Sequence, residues 1–257
     1  KYALHSGQYG NYAPNPVFEA ARLISSLKDE RGIVQIPGFY DGVLLTERDK
    51  QLLATIPENN DSLNFRLGIF NSEQVAPTYQ EALQFPSLNI RGLKSAYTGK
   101  EVRTLIPEDV IIEIDMRLVP ETPAERQLEL LRNHILKQGY HLVDSVPNSH
   151  DRATFKKLAS LEYRIGSKPF RTDMDTDIGK FLNTALRKVF GDKIVNMRTT
   201  GGSQPMAPFI HTLNIPAVSI RIPNPDNNIH GPDENLRLGN YREGILSCLA
   251  ILLEPLP

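Results

Sequence analysis

One segment of this 257-residue chain alternates regularly between apolar and mostly polar residues, and it constrains the fold more than any other. From Val110 to Leu118 every second residue is apolar, whereas the residues between them include Glu113, Asp115 and Arg117. A period of two is typical of a β-strand that buries one face and exposes the other. The rest of the chain must therefore supply elements that cover the apolar face of a sheet.

Helical signals occur in four further segments. Helices are predicted at residues 16–28, 123–138 and 176–191 and in a segment that begins after Asn240. The first follows Asn15-Pro16, a cap residue with proline at the first helical position, and the second opens at Thr122 with a capping box. The last helix is apolar almost all round, so we expect it to be buried, with Cys248 as a small core residue.

The order of these elements predicts the fold. Strands are expected at residues 2–5, 90–98, 109–119 and 158–166, with short buried strands at 194–197 and 217–222. This order predicts a split βαβ, ferredoxin-like domain, an open antiparallel sheet with two helices on one face. A long insertion at about 32–88 would interrupt it and contain a helix near 47–56. The fold class is thus α/β, with an α+β domain at residues 1–166 and a second α/β unit at 167–257.

Composition excludes two classes of partner. Twenty-nine basic and 30 acidic residues leave a net charge near zero, so the chain has no large positive field that would attract nucleic acid. The longest apolar stretch, 245–253, is far shorter than the ~20 residues of a membrane span. A soluble and cytoplasmic protein is expected, with export left open because one cysteine carries no information about the compartment. The sequence begins without Met and runs straight into a predicted strand, as an excised fragment or a trimmed chain does.

Two histidines follow predicted strands and are candidate site residues. His230 lies in a loop with Gly231, Pro232 and two acidic residues, after the predicted strand 217–222. Sites of α/β sheets lie in such loops, so His230 is a candidate metal ligand or catalytic residue, or an incidental surface histidine. His5 ends the first strand at a glycine turn. It could bind an oxyanion or carry protons, or only cap the strand end.

Three other residues could bind a carboxylate. Gly202 and Ser203 follow the predicted strand 194–197, and such a loop offers N–H groups and a hydroxyl, although ordinary turn chemistry explains it equally well. It is not a nucleophile elbow, because Pro205 replaces the second glycine. Arg117 suits a substrate carboxylate, but it could equally pair with Glu113 or Asp115 on the same strand face.

Together these segments resemble one family over nearly the whole chain and in the same order. The resembling segments are Leu4–Gly7, Asn15-Pro16, Ile36–Asp41, Thr104–Pro107, Asp115–Pro120, Phe170–Asp175, Gly201–Pro205 and Asn228–Leu236. The family comprises dinuclear-zinc metallopeptidases with an inserted lid domain: carnosinase-like dipeptidases, aminoacylases and succinyl-diaminopimelate desuccinylases. The resemblance implies that residues 1–166 are the lid, or dimerisation, domain and that 167–257 are the C-terminal part of the catalytic domain.

The resemblance also implies roles for the candidate residues. His230 would be a terminal zinc ligand. His5 would reach from the lid of one subunit into the partner's active site and polarise the scissile carbonyl. Thr104 and Arg117 would contact the transition state and the substrate carboxylate. Residues 202 and 203 would hold that carboxylate from the catalytic side, and the lid would form a homodimer.

The sequence departs from this family in its metal ligands. The family binds two zinc ions mainly through an N-terminal half, and nothing in this sequence supplies those ligands besides His230. We therefore expect the missing half to precede Lys1 in a full-length amidohydrolase acting on dipeptides or N-acyl amino acids, and this chain alone to be inactive. A non-catalytic dimerisation or carboxylate-binding module on the same fold is the alternative. A serine hydrolase based on Ser203 is disfavoured by the absent elbow glycine.

Overall fold

The computed structural model describes residues 2–256, which form two compact units. The first unit comprises the described residues up to Leu45 together with residues 58–169. The second comprises residues 46–57 and the described residues from Phe170 onward. The domain assignment made from the sequence stays a prediction. The units differ from it at residues 46–57, which were expected in the insertion of the first domain and make their contacts in the second unit.

Ten α-helices and six strands run through the described residues. The helices are α1 (Ser6–Tyr9), α2 (Pro16–Leu27), α3 (Glu47–Ala54), α4 (Asn60–Leu67), α5 (Tyr79–Ala82), α6 (Ala124–Lys137), α7 (Ser149–Thr154), α8 (Asp177–Phe190), α9 (Ala207–Leu213) and α10 (Leu238–Leu253). The strands are β1 (Leu4–His5), β2 (Ser87–Lys94), β3 (Leu105–Ile106), β4 (Ile111–Arg117), β5 (His141–Leu142) and β6 (Leu158–Ala159). Two short 3₁₀ turns lie at Gly99–Glu101 and Gly191–Lys193.

Hydrogen bonding joins the described strands in pairs. β1 pairs antiparallel with β3, β2 antiparallel with β4, and β5 parallel with β6. The β2–β4 pair runs from Ser87 opposite Arg117 to Lys94 opposite Ile111, with a register shift at Gly92. This confirms the strand pair predicted from the period-two pattern. Of the predicted strand at 158–166, only residues 158–159 are paired.

The core of the first unit lies where α2 and α6 cover the apolar face of β2 and β4. Its buried members are Leu27, Val34, Ile36, Phe39, Leu88, Leu131 and Ile135. Ile114 and Met116, on the alternating apolar face of β4, pack against this cluster. Leu131 and Ile135 are four residues apart and therefore share one face of α6. The predicted alternation thus identified the face of the strand that is buried.

Three polar side chains in and beside this core make hydrogen bonds. Gln127 is fully buried, and its side-chain amide donates to the carbonyl oxygen of Phe39 over 3.0 Å. The Tyr40 hydroxyl accepts from the backbone N–H of Val34 over 3.0 Å. His134 is 6% exposed, and its Nε2 lies 2.9 Å from Ser26 Oγ. Because the Ser26 hydroxyl donates to the carbonyl of Leu23, His134 Nε2–H is the donor in this contact.

Thr122 does not cap α6, contrary to the sequence prediction. Its hydroxyl accepts from Val119 N–H and donates to the Val119 carbonyl, both over 3.1 Å, and the residue is completely buried. Pro123 occupies the cap position without a side-chain hydrogen bond. A threonine hydroxyl can bond either to the N–H groups of a following helix or to the backbone of a preceding turn. Here it bonds to the turn at Val119.

The two short strands expected in the second unit are not formed among the described residues. Residues 194–197 and 217–222 belong to no helix or strand, and they are not buried as expected, since Val195, Met197 and Val218 are exposed. Ala217 instead exchanges two hydrogen bonds with the Thr172 hydroxyl, at 3.2 and 2.7 Å. An apolar run predicts a buried extended segment, but only a neighbouring strand makes it part of a sheet.

The prediction of a buried α10 is wrong. The helix packs against α8, and its Gly244 lies so close to Ile222 that a Cβ would come within 2.6 Å of the Ile222 side chain. Another side carries an exposed apolar stripe formed by Leu238, Tyr241, Ile245, Leu249 and Leu252. Cys248 is also exposed, not in the core as expected. No described residue covers this stripe.

No helix within residues 2–256 combines the length and the apolar character needed to cross a membrane.

The buried His134 predicts a pH-dependent stability of the first unit. Burial lowers the pKa of His134 below its ordinary value of 6.5, and the positive charge of Lys137 lowers it further. The unfolded chain therefore takes up this proton at a higher pH than the folded chain does. The free energy of unfolding should fall as the pH drops below about 6.5 and be unaffected by His134 above it.

Chemical denaturation at about pH 7.5 and about pH 5.5 measures this effect. His134→Gln removes the titrating group and should flatten the decrease, whereas His150→Gln, at an exposed position on α7, should leave it unchanged. An identical pH dependence in the wild type and His134→Gln would contradict the prediction.

Candidate functional site

His5 and Thr104 are brought together by the β1–β3 pair of the first unit. His5 lies opposite Leu105 in the antiparallel register. Beyond that pair, the backbone N–H of Ser6 donates to the carbonyl of Thr104 over 3.3 Å. Two residues that lie 99 positions apart in the sequence therefore end on the same short strand pair.

The His5 imidazole is oriented by the turn that follows it. Its Nδ1 accepts a hydrogen bond from the Gly7 backbone N–H over 3.1 Å, which caps the one-turn helix α1. A Cβ at residue 7 would lie only 3.1 Å from His5 Cε1, so glycine allows the ring to fold over the turn. This cap uses Nδ1 and leaves Nε2 outside it. The residue is exposed, so a ligand can approach this nitrogen.

Arg117 lies on another strand pair, at the end of β4. Its Nε donates to Asp115 Oδ2 over 2.8 Å, which is one of the pairings that the sequence predicted. Residues two apart on a strand share a face, so the contact follows directly from the local structure. The Arg117 side chain is 55% exposed, and an exposed ion pair of this kind stabilises a protein by only about 0–1 kcal/mol.

His230 has an unusual backbone conformation in the second unit. Its φ is +64°, and Asn228 has a φ of +53°. Left-handed backbone is disfavoured for residues with a Cβ, although Asn, Asp and His adopt it more often than other residues do. The backbone N–H of His230 donates to Glu234 Oε2 over 3.2 Å, and the residue is exposed. Strained, exposed residues of this kind concentrate at functional sites.

The loop around His230 is held by a buried asparagine that the sequence analysis did not single out. Asn224 is 2% exposed. Its Oδ1 accepts from the Arg237 backbone N–H over 3.0 Å, and its Nδ2 donates to Asp226 and Asn235. The signal that could have revealed it is a polar residue between two prolines directly after an apolar run. Asn224 closes the loop and contacts no candidate ligand atom of His230.

Residues Gly201–Ser203 form an exposed turn in the second unit. Gly201 has a φ of +72°, which favours glycine, and its N–H lies 3.4 Å from Thr199 Oγ1. Gly202 has an ordinary φ, and a Cβ added there would meet nothing within 4 Å. The fold explains glycine at 201 but not at 202. The candidate carboxylate loop thus includes a glycine that folding does not require.

The described residues do not fit a two-zinc centre on their own. Residues 2–256 contain no group of three or more His, Cys, Asp or Glu side chains placed to hold a metal ion. Near His230, the Glu234 carboxylate accepts from the His230 backbone N–H. A catalytic zinc ion normally has three protein ligands, so no chemical step through a metal is derived from these residues.

The candidate residues therefore fall into two groups, one in each unit. His5 and the neighbouring Thr104 lie at the β1–β3 pair of the first unit and Arg117 lies on β4, whereas Gly202, Ser203 and His230 belong to the second unit.

The strain at His230 gives a stability prediction that is independent of any ligand. His230→Gly and His230→Ala both remove the imidazole, but only glycine adopts a φ of +64° without cost. We expect the glycine variant to be more stable than the alanine variant by about 1 kcal/mol. Urea denaturation of the two variants measures the difference. A less stable glycine variant would show that the backbone at residue 230 is not strained.

The chain matches known proteins along almost its whole length. A family profile described as the peptidase dimerisation domain matches residues 2–142. A Cys-Gly metallodipeptidase of Candida albicans is 27% identical over 94% of this chain and 48% of its own length. Human Beta-Ala-His dipeptidase is 27% identical over 98% of this chain and 48% of its own length. The chain thus spans about half the length of the curated relatives that it matches.

A solved structure gives the same result for the fold. The M20 family metallo-carboxypeptidase from Sulfolobus solfataricus is 28% identical with a TM-score of 0.76, over 98% of this chain and 55% of that chain. This confirms the α/β fold class and the resemblance inferred from the sequence motifs. The relatives are metallopeptidases, and the family profile covers more than half of the chain. The chain belongs to the M20 peptidase dimerisation-domain family.

Proposed function

We propose that this chain is the lid domain and C-terminal part of a metal-dependent peptidase that hydrolyses the amide bond of dipeptides or N-acyl amino acids. In the complete enzyme two zinc ions would be bound, and the chain by itself would be inactive. The observation that carries the proposal is the similarity to metallodipeptidases along nearly the whole chain. The domain boundaries would be those expected from the sequence, 1–166 and 167–257.

In this proposal His5 acts on the scissile carbonyl. Its Nδ1 is held by the Gly7 N–H, so the ring is oriented before substrate binds and Nε2 can carry the proton that bonds to the carbonyl oxygen. A donor fixed in advance stabilises negative charge on that oxygen without reorganising during the reaction. Thr104, beside it on the β1–β3 pair, would contact the same region. A homodimer formed through the first unit would present these residues to the partner's site.

The substrate carboxylate would be bound by Arg117 and by the loop with Gly202 and Ser203. Arg117, whose side chain is 55% exposed, bonds to Asp115, and an ion pair with such an exposed partner is weak enough to be exchanged for one with a substrate carboxylate. The open space at Gly202 supports a role for its backbone in close contact with a ligand. A backbone N–H and the Ser203 hydroxyl are suitable donors to a carboxylate.

His230 would be a zinc ligand, with the other ligands supplied by polypeptide outside the described residues. Its left-handed backbone supports this role, because such strain persists where function requires it. The exposed apolar stripe on α10 supports the same proposal. An apolar face of that extent on a peptidase unit is expected to pack against further polypeptide.

A non-catalytic module for dimerisation or carboxylate binding is the second candidate. It is favoured by one observation, that residues 2–256 contain no group of three or more potential metal ligands. Carboxylate binding without hydrolysis in the native protein would support this candidate.

The first experiment is the intact mass and N-terminal sequence of the native protein, together with its metal content. A chain longer than these 257 residues, carrying about two zinc ions per subunit, is the expected result. A native chain that starts at Lys1 and binds no stoichiometric metal would eliminate the enzyme proposal.

The second experiment tests His5 in the native enzyme. His5→Ala should lower kcat by about 10²–10³, since it removes one donor to the developing oxyanion. His150→Ala, at another exposed histidine of the first unit, is the matched control and should leave kcat unchanged. Equal activity of both variants and the wild type would exclude His5 from catalysis.

A further inference from the structure

Asp49 makes two different contacts with its two carboxylate oxygens. It lies in the first turn of α3, in the segment 46–57 that belongs to the second unit. Its Oδ2 accepts from the Thr46 backbone N–H over 3.0 Å and from the Thr46 hydroxyl over 2.8 Å. The Asp49 N–H donates back to Thr46 Oγ1 over 3.1 Å, which completes a capping box. The cap therefore accounts for Oδ2 but not for Oδ1.

Asp49 Oδ1 forms an ion pair with Arg198 Nε at 3.0 Å. The Asp49 and Arg198 side chains are only 20% and 16% exposed. In the Arg187–Asp192 pair of the same unit, by contrast, the aspartate is 98% exposed. Less water means less screening, so a charge pair that is largely buried is held more firmly than one at the surface.

The charge state of Asp49 agrees with this geometry. Burial raises the pKa of its carboxyl, but the hydrogen bonds from Thr46 and the positive charges of Arg198 and Arg171 outweigh burial. The net pKa lies below the ordinary 3.8, so the carboxylate is ionised at neutral pH.

Arg198 lies immediately before the candidate carboxylate loop. It precedes Gly202 by four residues and Ser203 by five. Residues 199 and 200 are partly buried and residues 201–203 are exposed, and the Gly201 N–H to Thr199 Oγ1 contact is long, at 3.4 Å. The shape of an exposed loop depends strongly on the residues that hold its ends. The ion pair of Arg198 fixes the N-terminal end of this loop.

The helix that provides Asp49 is itself fixed within the second unit. Leu53, one turn further along α3, is 3% exposed. The neighbouring Arg48 forms an ion pair with Asp175. The partner of Arg198 is therefore anchored by an apolar contact, a second ion pair and the capping box.

We propose that Asp49 is a positioning residue that, through Arg198, holds the loop 199–203 in the shape that binds the substrate carboxylate. The assignment of that ligand rests on the proposed function, whereas the coupling of Asp49 to the loop does not. A residue of the long insertion at 32–88 would thus control substrate affinity without touching the substrate.

The test uses Asp49→Asn and Arg198→Gln, singly and together, in the native protein. Asparagine keeps an amide oxygen to cap Thr46 but removes the charge that pairs with Arg198. Asp192→Asn, which removes an exposed ion-pair partner in the same unit, is the matched control. Arg198→Lys keeps the positive charge, so its exchange rates at residues 199–203 and its KM should stay close to those of the wild type.

Two measurements are made on each variant. Hydrogen exchange of the amides of residues 199–203 should accelerate by about tenfold in Asp49→Asn and Arg198→Gln, because each removes the ion pair at the start of the loop. KM for a dipeptide should rise by about tenfold while kcat changes little, since the loop contributes to binding. In the double variant, the exchange rate and KM should rise no further than in either single variant. This is expected for two residues that act through one contact.

The outcomes separate this inference from the proposed function. If the amides of residues 199–203 exchange in both single variants at the wild-type rate, the inference is overturned. This holds even if the amides of α3 exchange faster. Faster exchange in Asp192→Asn as well would also overturn it, because the effect would not be specific to Asp49. If the loop responds as expected but Ser203→Ala leaves KM unchanged, the coupling stands and the carboxylate-binding role of the loop fails.

Discussion

The packing of α2 and α6 against the apolar face of β2 and β4 is the contact on which the first unit depends. Phe39, 1% exposed, lies in this contact, and the fully buried Gln127 binds its carbonyl oxygen. A buried carbonyl without a partner would cost about 1–3 kcal/mol, so the glutamine allows the segment 36–41 to enter the core. The short β1–β3 pair, which places His5 next to the segment of Thr104, belongs to the same unit.

The second unit is organised differently. Its candidate loops are shaped by polar contacts: Asn224 closes the loop of His230, and the Asp49–Arg198 pair holds the start of the loop 199–203. Its last helix, in contrast, buries one side on α8 and exposes an apolar stripe on the other. The polar contacts of this unit lie in its loops, whereas the apolar stripe of α10 is left exposed. Such an exposed apolar surface is suited to pack against further polypeptide. This agrees with a chain that spans about half the length of its relatives.

The sequence predicted elements best where local signals are strong. The helices α2, α6 and α8 and the β2–β4 pair were identified, because caps and apolar periodicity are encoded within the segment itself. Thr122 and residues 217–222 were misassigned, since a hydroxyl and an apolar run each have more than one possible partner. The pairing of Arg117 with Asp115 was foreseen as an alternative because both lie on one strand face. Asp49 was missed because its partner Arg198 is distant in the sequence. Asn224 was missed because its partners, although close in the sequence, form no recognisable motif.

The sequence by itself determined the fold class, the family and the candidate residues, because motifs such as Leu4–Gly7 and Asn228–Leu236 are local patterns of residue type. Only the tertiary structure decided which of these residues meet. It brought His5 and Thr104 close through the pairing of His5 with Leu105 and of Ser6 with Thr104, assigned α3 to the second unit and exposed the apolar face of α10. The physical reason is that hydrogen bonds and burial depend on what lies opposite a residue, and that partner is set by the path of the whole chain.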